Sequence, residues 1–305
     1  MGKVSVAEIK ELMKSTGVGM MDCKKALEAN DGDMDKAIEF LREKGLATQA
    51  KKSGRAAAEG IVTAVVNGNV GVLLEVNTET DFAANTDDIK NFVSAVANTI
   101  IEKNPADVEA LKAETISGGT STVGEVLTEL AGMKIRENIV IRRFVRMEGV
   151  LASYIHNGGS IGVMVKMDTE LPADKVAVIG KDVAMQSAAL NAPYLKRDDV
   201  PAEVIEKEKE IITAQMSEDP KMASKPEKAK EKILEGKINK YYENNCLLEQ
   251  PFVKDDKVSV KGYVDSSAKE LGGAIVVTDV IRYERGEGVE KKEDNLADEV
   301  AKMIK

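Results

Sequence analysis

The chain has 305 residues, a formal net charge of -9 and a hydrophobic share of 43%, enough for a sizeable core spread over two or three domains. The acidic balance, the absence of Trp and an aromatic share of 4% exclude a broad phosphate-neutralising, base-stacking surface, so no direct nucleic-acid contact is expected. No run approaches the roughly 20 apolar residues that span a bilayer, the start lacks a signal-peptide core, and Cys23 and Cys246 stand alone in unlike contexts. The expectation is a cytoplasmic α+β protein without membrane contact.

Residues 1–45 predict a three-helix module, because Ile9, Leu12 and Met13, then Met21, Ala26 and Leu27, then Met34, Ala37, Ile38 and Leu41 recur at helical spacing. Gly17 and Gly19 separate the first two helices, Asp31-Gly32-Asp33 makes the next turn, and Gly45 sits where a C-terminal cap belongs. Residues 46–58, with Lys51-Lys52-Ser53-Gly54-Arg55, read as a basic linker.

An internal repeat follows. Glu59-Gly60-Ile61-Val62, Asn67-Gly68-Asn69 and Val70-Gly71-Val72-Leu73-Leu74 are echoed by Glu148-Gly149-Val150-Leu151, Asn157-Gly158-Gly159 and Ile161-Gly162-Val163-Met164-Val165. Each copy predicts a β-hairpin, with Asn-Gly supplying positive φ in the turn. A helical stretch then comes at 86–103 and at 173–190. Val140-Ile141-Arg142-Arg143-Phe144 closes the first copy as Asp279-Val280-Ile281-Arg282-Tyr283 closes the second. The predicted subdomains are 59–147 for the first copy, and 148–200 with 245–290 for the second. Segment 201–244, rich in Glu and Lys with Val204, Ile211, Ile233 and Ile238 as sparse anchors, predicts a helical pair inserted in the second copy. Residues 291–305 predict a tail ending in a short helix.

Catalytic chemistry finds little footing. His156 is the single histidine, which removes multi-histidine metal sites. Gly158-Gly159-Ser160-Ile161-Gly162 matches G-x-S-x-G, but a predicted strand rather than a helix follows the serine, and His156 precedes it. Neither Gly180-Lys181 nor Gly236-Lys237 completes a P-loop. The acidic pairs Asp87-Asp88, Asp198-Asp199 and Asp255-Asp256 fall at predicted helix starts or turns, where carboxylates complement free N–H groups.

Two segments carry a specific likeness: Thr16-Gly17-Val18-Gly19-Met20-Met21-Asp22-Cys23-Lys24-Lys25-Ala26-Leu27, and Asn77-Thr78-Glu79-Thr80-Asp81-Phe82. Together they closely resemble the bacterial elongation factor Ts family, over essentially the full length and in the same order of parts. The resemblance implies a guanine-nucleotide exchange factor for elongation factor Tu that performs no covalent chemistry and needs no cofactor or metal. It implies binding to the nucleotide-free or GDP form, in a heterodimer or two-to-two heterotetramer. Thr80, Asp81 and Phe82 would enter near the magnesium and phosphate site of the GTPase. Met13, Met20, Met21 and Lys24 would contact it from the module, and His156 from the second hairpin. Met13 stands where some members carry arginine. The module is also similar to ubiquitin-associated folds, which leaves open an adaptor that binds protein without exchange.

Overall fold

The computed structural model describes residues 4–16, 18–223 and 225–289; the predicted tail helix lies outside these. Helices α1 (Val6–Thr16), α2 (Met20–Ala29) and α3 (Met34–Lys52) form the N-terminal module. Ile9, Leu12, Val18, Cys23, Ala26, Leu27, Ala37 and Leu41 are its core, and Asp33 caps α3 by accepting from the Lys36 N–H at 3.1 Å.

Gly45 does not end α3. The helix runs on to Lys52, so the first half of the predicted linker is helical. Gly45 is instead a close-packing residue. A Cβ on Gly132, in the π-helical turn Leu130–Lys134, would fall 2.3 Å from the Gly45 carbonyl oxygen. Gly132 is what lets the two backbones meet, while a Cβ on Gly45 would press to 3.1 Å from the Met133 side chain, so Gly45 serves packing here and not the cap that the sequence suggests.

The first core copy comprises β1 (Glu59–Asn67), β2 (Val70–Thr78), α4 (Asp81–Ala84), α5 (Asp87–Lys103), α6 (Val108–Ala113), α7 (Val123–Glu129) and β3 (Ile139–Glu148). Its antiparallel sheet has the order β1-β2-β3. Thr86 caps α5, with Asp87 and Asp88 in the first turn as expected. The apolar face of α5, including Ile89, Phe92, Val96 and Ile100, packs on Val72, Leu74, Val76, Ile139 and Ile141.

The second copy has β4 (Val150–His156), β5 (Ile161–Asp168), α8 (Ala173–Ala189), α9 (Ala202–Glu218), α10 (Pro220–Ala223), α11 (Glu227–Asn245), β6 (Pro251–Phe252), β7 (Asp255–Ser259), α12 (Val260–Glu270) and β8 (Val276–Glu284). Its main sheet has the order β4-β5-β8, covered by α8 and α12 through Val176, Ile179, Val183, Val260 and Val264.

The duplication extends to fine geometry. Both central strands carry an irregularity at the same point, Glu75/Val76 in β2 and Lys166/Met167 in β5, and Gly60 and Gly149 share a φ of 133° and 132°. The two sheets pack reciprocally around Val62, Leu73, Met147, Leu151 and Met164. A Cβ on Gly71 would meet Leu151 and Met164 of the other copy, and one on Gly162 would meet Val62 and Leu73 in return. Strand β2, with a helix on one face and the second sheet on the other, is therefore buried along almost its whole length.

Helices α9 and α11 pack against each other in the inserted segment. The buried residues of α9 are Ile205, Ile212 and Met216, seven and eleven positions apart on one face. Of the predicted anchors, Val204 and Ile233 pack half-buried against this cluster, whereas Ile211 sits one position off the buried face and is 43% exposed. Ile238 is buried on α11 as expected. Among the described residues no helix is long and apolar enough to cross a membrane.

Candidate functional site

Strand β2 ends where Thr80 caps α4. Its backbone is extended, and its hydroxyl accepts from the Ala83 N–H at 3.2 Å. Thr78 Oγ1 donates to the Thr80 carbonyl at 2.7 Å, and Asn85 Nδ2 to the Asp81 carbonyl at 2.9 Å. Ala83 and Ala84 are buried on the inner side of this single turn, which aims Asp81 and Phe82 outward. Phe82 is 83% exposed. A phenylalanine left in water on a turn so thoroughly hydrogen-bonded forgoes about 1.5–3 kcal/mol of burial, so its position needs a reason outside the fold.

In the module, Gly19 precedes α2 and offers no side-chain cap. Met20 and Met21 occupy the first turn and are 50% and 64% exposed. Cys23, Ala26 and Leu27 face inward. Lys24 is exposed and pairs with Glu28 at 3.6 Å, whereas Met13 is half-buried against the module core. Asp22 binds Lys44 Nζ at 2.7 Å and the Arg136 guanidinium. The Lys44 hydrogen bond is the main cause holding its carboxyl below the usual aspartate range.

Residues 135–138 join these two places, and the sequence reading does not single them out. Arg136, in the left-handed region at φ 61°, reaches Asp22. Its neighbour Glu137 accepts from the Thr80 N–H at 3.1 Å and from Thr80 Oγ1 at 2.9 and 3.1 Å. Next in line, the Asn138 N–H donates to Glu79 Oε1 at 2.6 Å and its amide to the Arg55 carbonyl at 2.7 Å. Glu79 also pairs with Arg55. One short segment thus connects the Met20-Met21 corner, the end of the linker and the Thr80-Asp81-Phe82 turn. These partners lie 57 to 114 residues away in sequence, so no local periodicity marks them.

His156 stands apart as the exposed last residue of β4. Tyr154 Oη lies 3.1 Å from its Nδ1, and neither of the first two elements is a partner in that bond. The hairpin itself is pinned: the Val62 N–H donates to the Gly159 carbonyl at 2.9 Å and the Arg285 N–H to the Ser160 carbonyl at 2.8 Å. Strand β5 follows Ser160 directly, and the Ser160 hydroxyl donates to the His156 carbonyl, as a hairpin turn rather than a nucleophile turn requires.

A cavity of about 540 Å³ lies between α3 and α7, lined by Leu41, Arg42, Leu46, Glu125, Thr128 and Met133 among others; it contains none of Asp81, Phe82 and His156. Among the described residues no group of three or more His, Cys, Asp or Glu is placed to hold a metal ion.

The family model described as elongation factor TS matches residues 79–287. Elongation factor Ts of Trichlorobacter lovleyi is 47% identical over 98% of this chain and 97% of its own length. That of Clostridium kluyveri is 47% identical over 99% of each chain, and that of Clostridioides difficile 45% identical over 100% of each. With a model covering more than half the chain and relatives aligned end to end, this protein belongs to the elongation factor Ts family.

Proposed function

We propose that this chain accelerates GDP release from elongation factor Tu by stabilising the nucleotide-free GTPase, with Asp81 and Phe82 disturbing its magnesium and phosphate site. Family membership supports the broader role, nucleotide exchange in translation elongation. The observation that carries the finer reading is Phe82, 83% exposed on a turn whose backbone is held from several sides. An apolar group presented on a rigid support loses little conformational freedom when a partner buries it.

One aromatic does not suffice. Burying a phenylalanine gains about 1.5–3 kcal/mol, whereas shifting a two-state equilibrium from 1:99 to 99:1 takes about 5.5 kcal/mol of differential binding. Met20 and Met21, with Lys24 beside them, supply a second contact, His156 a third, and Met13 a minor one. Whatever binds the nucleotide-free form more tightly weakens nucleotide binding by the same factor. The complex forms in the cytoplasm as a heterodimer or two-to-two heterotetramer, and the chain contributes contacts rather than covalent chemistry.

The test is affinity for elongation factor Tu with and without GDP and magnesium. Exchange requires tighter binding to the nucleotide-free form. Equal affinity for both forms identifies a passive adaptor and overturns the proposal.

A further inference from the structure

We infer that Glu137 is a positioning residue for exchange, acting through the turn that presents Phe82; the inference rests on the function proposed above. Its carboxylate takes both the N–H and the hydroxyl of Thr80, with three contacts between 2.9 and 3.1 Å. Thr80 is the cap of α4, and with only Asp81–Ala84 in that helix its direction follows from the cap. A four-residue helix has too few internal hydrogen bonds to hold its own orientation. Charge-assisted bonds from a carboxylate are about twice as strong as neutral ones, so Glu137 is the dominant tether on the side away from the strand.

The tether is itself fixed. Arg136, the preceding residue, adopts a left-handed conformation, which costs a non-glycine residue energy and persists only where neighbours over-determine it. The Arg136 N–H donates to the Leu130 carbonyl at 3.4 Å, its Nε to the Met133 carbonyl at 3.3 Å, and its guanidinium pairs with Asp22. On the other side Asn138, 5% exposed, is bound to Glu79 and Arg55. Glu137 is thereby held between two anchored residues, one of which reaches the residue next to Met21. The module corner and the Phe82 turn share a single mount.

The chain contains no Trp, so the single indole of Phe82→Trp reports motion of the turn. Adding Glu137→Ala to that variant is expected to lower the slow component of its fluorescence anisotropy. In the native background, Glu137→Ala is expected to reduce the maximal rate of labelled GDP release from elongation factor Tu about tenfold, with the half-saturating concentration changed less than about twofold. In a Phe82→Ala background the same substitution is expected to change release by less than about twofold, because the two act as one unit. A multiplicative effect in the double variant, or unchanged release and anisotropy in Glu137→Ala, overturns the inference. Should Glu137→Ala lose its native melting transition, Glu137→Gln, which keeps one acceptor for the hydroxyl, must show about a threefold loss that again vanishes beside Phe82→Ala; no loss, or a loss that persists there, overturns the inference equally. If Phe82→Ala alone releases GDP at the native rate, it is the exchange reading that fails, and the anisotropy arm still decides whether Glu137 holds the turn.

Discussion

The two core copies share strand order, strand irregularities and even the φ of a paired glycine, yet they leave their central strands differently. In the first, Thr80 caps a one-turn helix that turns Phe82 into solvent. In the second, Leu171 packs into the core and Pro172 leads directly into α8. In the register that sets Glu75 opposite Lys166, Leu171 stands at the position of Thr80, so the second copy turns an apolar residue toward the core where the first has a polar cap. In the first copy Ala83 and Ala84 turn inward and the Phe82 ring contributes nothing to the core, and such departures are where function is carried.

A second difference separates the copies at the strand irregularity. Glu75 is fully buried, bound by Arg142 at 2.9 Å, Arg143 at 2.6 Å and the Gly286 N–H at 2.8 Å; its counterpart is the half-buried Lys166. Breaking this one-sided knot gives the largest expected effect on stability. Glu75→Ala should cost about 3 kcal/mol in urea unfolding, since it removes the buried acceptor of the Gly286 N–H and of two part-exposed arginines that keep only their Glu284 and Glu287 contacts, while Lys166→Ala should cost about 0.5 kcal/mol or less. Reciprocal packing comes next. Gly71→Ala and Gly162→Ala each place a Cβ within 2.5 to 2.8 Å of side chains of the other copy, and each should cost about 1–3 kcal/mol. Unequal costs would mean that the two sheets do not contribute alike.

The pH dependence sharpens the same contrast. Burial works to raise the Glu75 pKa, but the Gly286 N–H, Arg142 and Arg143 hold it below its ordinary value of 4.5. A depressed carboxylate contributes its stability fully above the unfolded value and loses it as pH falls through the folded one. Acid titration of unfolding should therefore show stability falling below about pH 4.5, a loss that Glu75→Gln makes smaller, the depressed Asp22 contributing its own share. Smallest of all, Leu171→Ala in the second copy should cost about 1–2 kcal/mol, against about ±0.5 kcal/mol for Phe82→Ala, Met20→Ala or Met21→Ala. A large melting shift for Phe82→Ala would assign that ring to the fold.

Much of this architecture was legible locally. The hairpin glycines, the alternation of the strands and the Thr86-Asp87-Asp88 helix start lie within a few residues of one another. Gly45 misled because a capping glycine and a close-packing glycine look identical until the opposing Gly132 is in place. Ile211 lies one position off the seam of α9, which Val204 does join, because a Glu- and Lys-rich helix gives too few apolar residues to fix a face. Thr80-Asp81-Phe82 is legible through the resemblance its segment carries, whereas Glu137 depends on a partner 57 residues away.

The central claim is that Phe82 acts on a partner and not on the fold. Its most direct test is labelled GDP release from elongation factor Tu driven by the native chain and by Phe82→Ala at equal, saturating concentration. The account predicts strong acceleration by the native chain and about a tenfold or greater loss in the variant, at an unchanged melting temperature. Equal acceleration by both would contradict it.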